Sequence, residues 1–129
     1  PPIMNSHWLL RLPFAAVFLY HGGGKLLMPA MSAEMLSLPV GLVLLVGVAE
    51  LLAGIGAVAG GLARLRNAAL VTRLSGLAAA PVLLGAIAMV HFPRWSFVPT
   101  DTHPMGGMEF QVVLLGLAVY FVITPAGSR

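Results

Sequence analysis

The sequence predicts an all-α protein, a transmembrane four-helix bundle with both termini in the cytoplasm. Of the 129 residues, 59% are hydrophobic and 9% are charged, whereas soluble domains carry about 25% charged residues. The hydrophobic residues also form four stretches with almost no charge, and about 20 apolar residues in a helix cross the hydrocarbon core of a bilayer. We therefore expect one domain, residues 1–129, with spans at about residues 6–27, 40–61, 67–90 and 107–124.

The first span begins with Trp8 as an interfacial anchor and has Pro13 in its first turn or at a kink. It ends in the run HGGGK at residues 21–25. Because glycine is flexible, these glycines are expected to loosen the helix where it leaves the membrane. Pro29 then stops the helix, and residues 28–39 are predicted to form a short loop.

The second span carries a carboxylate, Glu50, near its middle. An isolated charge at that depth is costly, so Glu50 must be protonated, paired with a cation or turned towards a polar cavity. Small residues share its helical face and allow a neighbouring helix to approach closely. Glu50 is therefore predicted to face protein, on a stripe made of Gly47, Glu50, Gly54, Ala57 and Gly61.

The third span has Arg73 in its first two turns and Pro81 at its middle. Since proline lacks an N–H, it removes one backbone hydrogen bond and favours a kink or a polar contact. The long polar segment at residues 91–109 follows, and the fourth span is the shortest of the four. No composition shift in these segments indicates a second domain.

The positions of Lys and Arg predict the orientation of the spans. Cytoplasmic loops carry an excess of these residues, and both termini are therefore placed in the cytoplasm. The basic residues are scattered, which argues against a nucleic-acid surface, and the lack of cysteine excludes thiol chemistry or an iron–sulfur cluster held by this chain alone. The inner face would hold Arg11, Arg64, Arg66, Arg73 and Arg129, and the outer face Lys25 and Arg94.

Several short motifs follow one another along the four spans. They are an Arg-Leu start to the first helix, His21-Gly22 with Lys25, the run VAELLAG at residues 48–54, residues 60–64, a His ending the third helix, Gly-x-x-Glu at residues 106–109 and Pro-Ala-Gly-Ser at residues 125–128. In this order the chain resembles the DoxX family over nearly its whole length. The long connection that contains Pro and Trp departs from the family pattern, and we expect it to serve a partner.

The DoxX resemblance implies a small four-helix protein of the bacterial inner membrane. It also implies a link to quinones, because the family takes its name from a subunit of a thiosulfate:quinone oxidoreductase. The recurrent polar positions of the family would fall on Lys25, Glu50, Arg64, His91 and Glu109.

Two interpretations of Glu50 stay open. In the structural one, Glu50 forms an ion pair with Arg73, because they lie about 15 Å and about 10 Å in from the cytoplasmic face and the long guanidinium stem spans the difference. In the functional one, Glu50 carries a proton or binds a ligand. His21 is the alternative to Arg73 as the partner of Glu50. Glu50 and His21 are thus the candidate catalytic residues, and whether the chain is an enzyme stays open.

The candidate cofactor-binding residues lie at the predicted outer face: His21, Lys25, His91 and Glu109. Imidazoles on neighbouring helices hold haem iron or a transition metal in membrane bundles. Histidines solvated at the headgroups are the favoured interpretation, because the spacing contains no metal-ligand motif. No metal site is assigned, haem has little support, and a quinone is the cofactor to consider.

Two classes of function follow. The chain is either an accessory subunit docked to a membrane redox or energy-converting complex, or a quinone-linked oxidoreductase component or small transporter that relays protons through Glu50. Its partners would be lipid and other membrane protein subunits. Aromatic and basic residues of the outer connection are the expected docking surface: Phe92, Arg94, Trp95 and Phe97.

Overall fold

The computed structural model describes residues 6–62 and 64–124, and within them it contains helices and no strands. The all-α prediction is therefore confirmed for this part of the chain. The motif at residues 125–128 and Arg129 lie outside the described residues. The helices follow one another as α1 (Trp8–Leu27), α2 (Pro29–Leu36), α3 (Val40–Ala59), α4 (Ala68–Ala86) and α5 (Glu109–Ile123).

The region between the first two long helices differs from its prediction. The glycines at residues 22–24 do not loosen α1, which continues to Leu27, because packing against α3 outweighs their low helix propensity. Residues 28–39 are not a simple loop, since they contain α2. Pro29 occupies its first position, where a missing N–H removes no helical bond, and Ser37 ends it with a left-handed φ of 54°.

The last turn of the third long helix is a π-helical turn, which the sequence did not indicate. It covers Ile87–His91 and directly extends α4. The N–H of Phe92 closes it by donating to the carbonyl of Ile87 at 2.7 Å. Residues 68–91 therefore form one continuous helical rod, with Pro81 inside it.

The long helices pack α1 on α3, α3 on α4 and α4 on α5, α1 also touches α5, and α2 lies against α1 and α3. The core contains few large side chains. Phe14 lies with its ring centroid 4.6 Å from that of Phe18 and meets Phe121 edge-on at 5.0 Å. Alanines fill most of the remaining core and bring the helices close together: Ala15, Ala53, Ala57, Ala79 and Ala118.

Large apolar side chains lie mainly on the outer surface of the described residues. Leu45 on α3 and Leu70 on α4 are 66% and 53% exposed, and many leucines and valines of the long helices are similarly placed. Two of the described helical segments, Val40–Ala59 and Ala68–His91, could cross a membrane by their length and composition. α5 is apolar but shorter, with 15 residues.

Candidate functional site

Glu50 faces the interior of the helix bundle, as its stripe of small residues predicts. Its exposed fraction is 4%, and Gly47, Gly54 and Ala57 on the same stripe are also buried. A carboxylate removed from solvent in this way requires a partner that compensates for its lost hydration.

The partner of Glu50 is Lys25 of α1. The Lys25 Nζ atom lies 3.0 Å from Glu50 Oε1 and 3.3 Å from Oε2. The predicted pair of Glu50 with Arg73 was wrong: Arg73 Nε donates instead to the carbonyl of Val122 at 3.2 Å, in an exposed position. Depth along a span cannot tell which face of a neighbouring helix a cation occupies, and the position of Lys25 on α1 decides the pairing.

Two glycines allow α1 and α3 to come close enough for this ion pair. A Cβ atom at Gly22 would lie 2.8 Å from the carbonyl oxygen of Gly47 and 2.9 Å from the amide nitrogen of Leu51. A Cβ atom at Gly47 would in turn lie 3.1 Å from Lys25 Cβ. The backbones of α1 and α3 are therefore in direct contact about one helical turn from the ion pair. This close approach allows the side chain of Lys25 to reach Glu50.

A cavity of about 830 Å³ adjoins the ion pair and is lined by residues of all five helices and of the connection before α5. Its walls are mostly apolar side chains. The polar residues that line it are His21, Lys25, Glu50, His91, Glu109 and Gln111. All four candidate cofactor-binding residues and both candidate catalytic residues are thus brought to one cavity.

Besides Lys25 and Glu50, two of these residues have defined hydrogen bonds. His91 is buried, and its Nδ1 lies 2.8 Å from the carbonyl oxygen of Gly106. Because a carbonyl only accepts, Nδ1 carries the proton and Nε2 is left as an acceptor in the neutral ring. Glu109 begins α5, where the helix dipole favours a carboxylate, and its Oε1 accepts from the N–H of Phe97 at 3.4 Å.

Gln111 lines the cavity and was not identified from the sequence. Its Oε1 atom is buried and has no hydrogen-bond partner among residues 6–62 and 64–124. Buried side-chain oxygens are normally paired, and an orphan one beside a cavity marks a place where a ligand or water can donate. A glutamine in the second turn of an apolar helix gives no pattern from which this role could be predicted.

The connection between His91 and Glu109 is folded against the start of α5. The amides of Gly107, Met108 and Glu109 donate to carbonyls of residues 94–96 at 2.7–2.9 Å. Phe92, Trp95 and Phe97 are each more than half exposed. Arg94 Nε donates to the carbonyl of Val98 at 3.2 Å. The four predicted docking residues therefore lie on one ordered connection, and Phe97 also lines the cavity.

A buried cation, Arg11, lies at the other end of α1. Its exposed fraction is 2%, and its Nη1 donates at 2.9 Å to both the carbonyl of Ala57 and the hydroxyl of Thr72. Its guanidinium carbon lies 5.4 Å from the centroid of the Phe121 ring. The sequence placed Arg11 only as a charge that sets orientation, because one arginine near a helix start is usually solvated.

No three His, Asp or Glu side chains come together in a way that could hold a metal ion, within the part of the chain that the structure describes. His21 and His91 both line the cavity, but from different helices and without a mutual hydrogen bond.

Comparison of the chain with known family models, curated proteins and solved structures gives no significant match. The resemblance to the DoxX family therefore stays a sequence-based expectation.

Proposed function

We propose that this chain is a DoxX-like, multi-pass protein of the bacterial inner membrane, belongs to a membrane redox complex and binds a quinone in the cavity beside Glu50. The observation that carries the proposal is that cavity. Its volume of about 830 Å³ lies in the range of small-molecule sites, and its apolar walls meet a small set of polar groups.

The exposed surface supports the membrane assignment. Soluble monomers rarely expose apolar patches of more than a few hundred Å², yet large apolar side chains cover the outside of the long helices and alanines fill the core. Transmembrane helices have this arrangement, because small residues let the backbones approach and large ones face lipid tails. Four spans are proposed, formed by α1, α3, α4 with its π-helical turn, and α5.

The proposed orientation has both termini in the cytoplasm, from the distribution of Lys and Arg. Because the chain has no native cysteine, accessibility labelling is clean. A Thr102→Cys variant, in the exposed connection before α5, should react with an impermeant maleimide in intact cells, and an Asn67→Cys variant, at the start of α4, should not. The opposite pattern would reverse the orientation.

The polar groups of the cavity suit a quinone headgroup. Quinone carbonyls accept hydrogen bonds, and the Lys25 ammonium is a donor held at the cavity by its ion pair. A quinol hydroxyl donates, and the orphan Gln111 Oε1 and the Glu50 carboxylate are acceptors. When bound, a quinone supplies two-electron chemistry coupled to protons. The chain's own residues would bind the headgroup, exclude water with the apolar walls and exchange a proton at Glu50.

Direct binding tests this proposal. Purified protein in detergent, titrated with a short-chain ubiquinone or menaquinone, should bind about one molecule, detected by tryptophan fluorescence and by thermal stabilisation. Leu83→Trp places a larger side chain at the cavity wall formed by α4 and should weaken quinone binding. Leu45→Trp on the exposed face of α3 should not weaken it. If neither quinone binds, or if both variants bind like the original protein, the cavity is not a quinone site.

Docking to a complex is the second part of the proposal, and the exposed aromatic side chains of the connection favour it. Phe92, Trp95 and Phe97 are displayed on a segment already ordered by hydrogen bonds, so little entropy is lost when a partner covers them. Trp95→Ala should release the protein from its complex during gentle purification, while Tyr20→Ala, an exposed aromatic of α1, should not. Retention after Trp95→Ala and after replacement of residues 92–99 by a Gly/Ser linker would move the interface to the helix faces.

A further inference from the structure

Four of the seven methionines of the chain line a second cavity, of about 510 Å³, beside the one described above. Met28, Met31 and Met35 come from α2 and the residue before it, and Met105 comes from the connection before α5. His21, near the end of α1, lines the same cavity. Two segments distant in sequence thus contribute thioethers to one space, and a third contributes an imidazole.

The arrangement on α2 directs the methionines to one side. Met31 and Met35 are one helical turn apart and lie on one face of α2, and Met28, the residue directly before α2, lines the same cavity. They are about half exposed, and Met105 is 43% exposed. Methionine has three rotatable side-chain bonds, so these sulfur atoms can converge without a change in the helix.

This set of donors is chemically selective. Thioethers are soft ligands that select Cu(I), and imidazole also binds copper, whereas Mg²⁺, Ca²⁺ and Mn²⁺ prefer carboxylate and carbonyl oxygens. Lys25 also lines the cavity, but its charge is matched by Glu50 at 3.0 Å, so it does not present an uncompensated positive charge to an arriving ion. A neutral set of thioethers suits a monovalent soft ion.

We propose that this second cavity binds Cu(I) through the thioethers of Met28, Met31, Met35 and Met105, with His21 as a nitrogen ligand. The proposal concerns binding of the ion in its reduced state and does not depend on the quinone site. Copper binding can be distinguished from a purely apolar packing role of these methionines. Leucine would pack on an apolar surface equally well and would bind no copper.

The test uses the purified full chain under anaerobic, reducing conditions, with Cu(I) buffered by bicinchoninate. We expect the protein to withdraw about one Cu(I) per chain from the chelator. The variant with Met28, Met31, Met35 and Met105 all changed to Leu should lose this binding, because it keeps the apolar volume and removes the sulfur. Met89→Leu and Met108→Leu, whose methionines do not line the second cavity, should bind Cu(I) like the original protein.

X-ray absorption of the Cu(I)-loaded original protein provides a measurement that does not depend on the folding of the quadruple variant. The copper environment should contain sulfur scatterers at bonding distance. No withdrawal of Cu(I), equal binding by the quadruple variant, or a copper environment of nitrogen and oxygen alone would each overturn the proposal. Quinone binding by the same samples is read separately, so failure of one site does not imply failure of the other.

Discussion

Arg11 is a buried cation and Lys25 a partly buried one on the same helix, and the structure accommodates them in different ways. They lie fourteen residues apart on α1, or about 21 Å along its axis. Arg11 donates to neutral oxygens, whereas Lys25 meets the carboxylate of Glu50 in the one ion pair found within residues 6–62 and 64–124. The comparison shows what separates a packing contact from a site in this bundle.

The Arg11 end is closely packed and completes the end of another helix. The last carbonyls of a helix lack intrahelical partners. At the end of α3 the amide of Gly61 donates to Val58, and Arg11 donates to the carbonyl of Ala57. Its positive charge also suits the negative end of the α3 dipole. A Cβ atom at Gly61 would lie 2.8 Å from Arg11 Cδ, so little space remains around the guanidinium.

The Lys25 end of α1 borders a cavity, although Lys25 is paired with a carboxylate and Arg11 is not. The ion pair with Glu50 borders a cavity of about 830 Å³, and a buried oxygen there, Gln111 Oε1, has no hydrogen-bond partner within residues 6–62 and 64–124. A charge that completes a helix end in a filled space has a structural role. A charge pair beside an empty apolar space has capacity left to bind a ligand.

The largest expected effect is at the Lys25 end. Glu50→Gln and Lys25→Met should each lower the free energy of unfolding by about 3–5 kcal/mol, because Lys25→Met leaves the buried Glu50 unpaired and Glu50→Gln leaves the partly buried Lys25 unpaired. The double variant should recover part of the loss. Thermal melting in detergent measures all three, with Arg73→Leu as an exposed control that should change stability by less than about 0.5 kcal/mol. Strict additivity of the two single variants would mean that the pair contributes no coupling.

Next in size is the Arg11 end. Arg11→Leu removes hydrogen bonds from a charged donor and leaves the carbonyl of Ala57 without its partner, so we expect a loss of about 1.5–3 kcal/mol. Arg66→Leu, at an exposed position between α3 and α4, is the matched control. Quinone and Cu(I) binding should survive Arg11→Leu in protein that remains folded. If Arg11→Leu and Arg66→Leu have the same melting temperature, Arg11 does not have the structural role assigned to it.

A smaller effect is expected where α1 and α3 touch. Gly22→Ala should cost about 1–3 kcal/mol through overpacking, since the new methyl group meets the backbone of α3, which cannot move aside as a side chain can. It should also weaken ligand binding in the adjoining cavity by separating Lys25 from Glu50. Unchanged melting would show that the two helices tolerate a wider spacing.

The smallest expected effect is an increase in stability. A Cβ atom at Gly23 meets nothing within 4 Å. Gly23→Ala should therefore raise stability by up to about 1 kcal/mol, because alanine favours the helix that α1 forms there. This variant is also the control for Gly22→Ala, and destabilisation by both would indicate that the glycines are needed for flexibility.

The sequence predicted the helical class, the approximate extent of the long helices and the inward orientation of Glu50, because apolar run length and a stripe of small residues are local patterns. It did not predict which cation pairs with Glu50. Arg73 and Lys25 lie at similar sequence distances from Glu50, and only the packing of α1 on α3 brings Lys25 within reach.

The polar residues of the cavity illustrate the same limit. His21, Lys25, His91 and Glu109 were proposed because they fall at one predicted end of the bundle, and the structure brings them to one cavity. Gln111 was missed because a glutamine near a helix start carries no spacing signal. Its importance depends on the absence of a partner for Oε1, which is a property of the packed state.

The shortness of α5 has a consequence for the surrounding bilayer. Its 15 residues extend about 22 Å, whereas a hydrocarbon core is about 30 Å thick. In the proposed membrane, the bilayer would thin around α5, or the connection that contains Phe92, Trp95 and Phe97 would sink below the headgroups on that side. Such hydrophobic mismatch costs fractions of a kcal/mol per Å. The protein would consequently partition into thinner regions of membrane and would draw together neighbours with equally short helices.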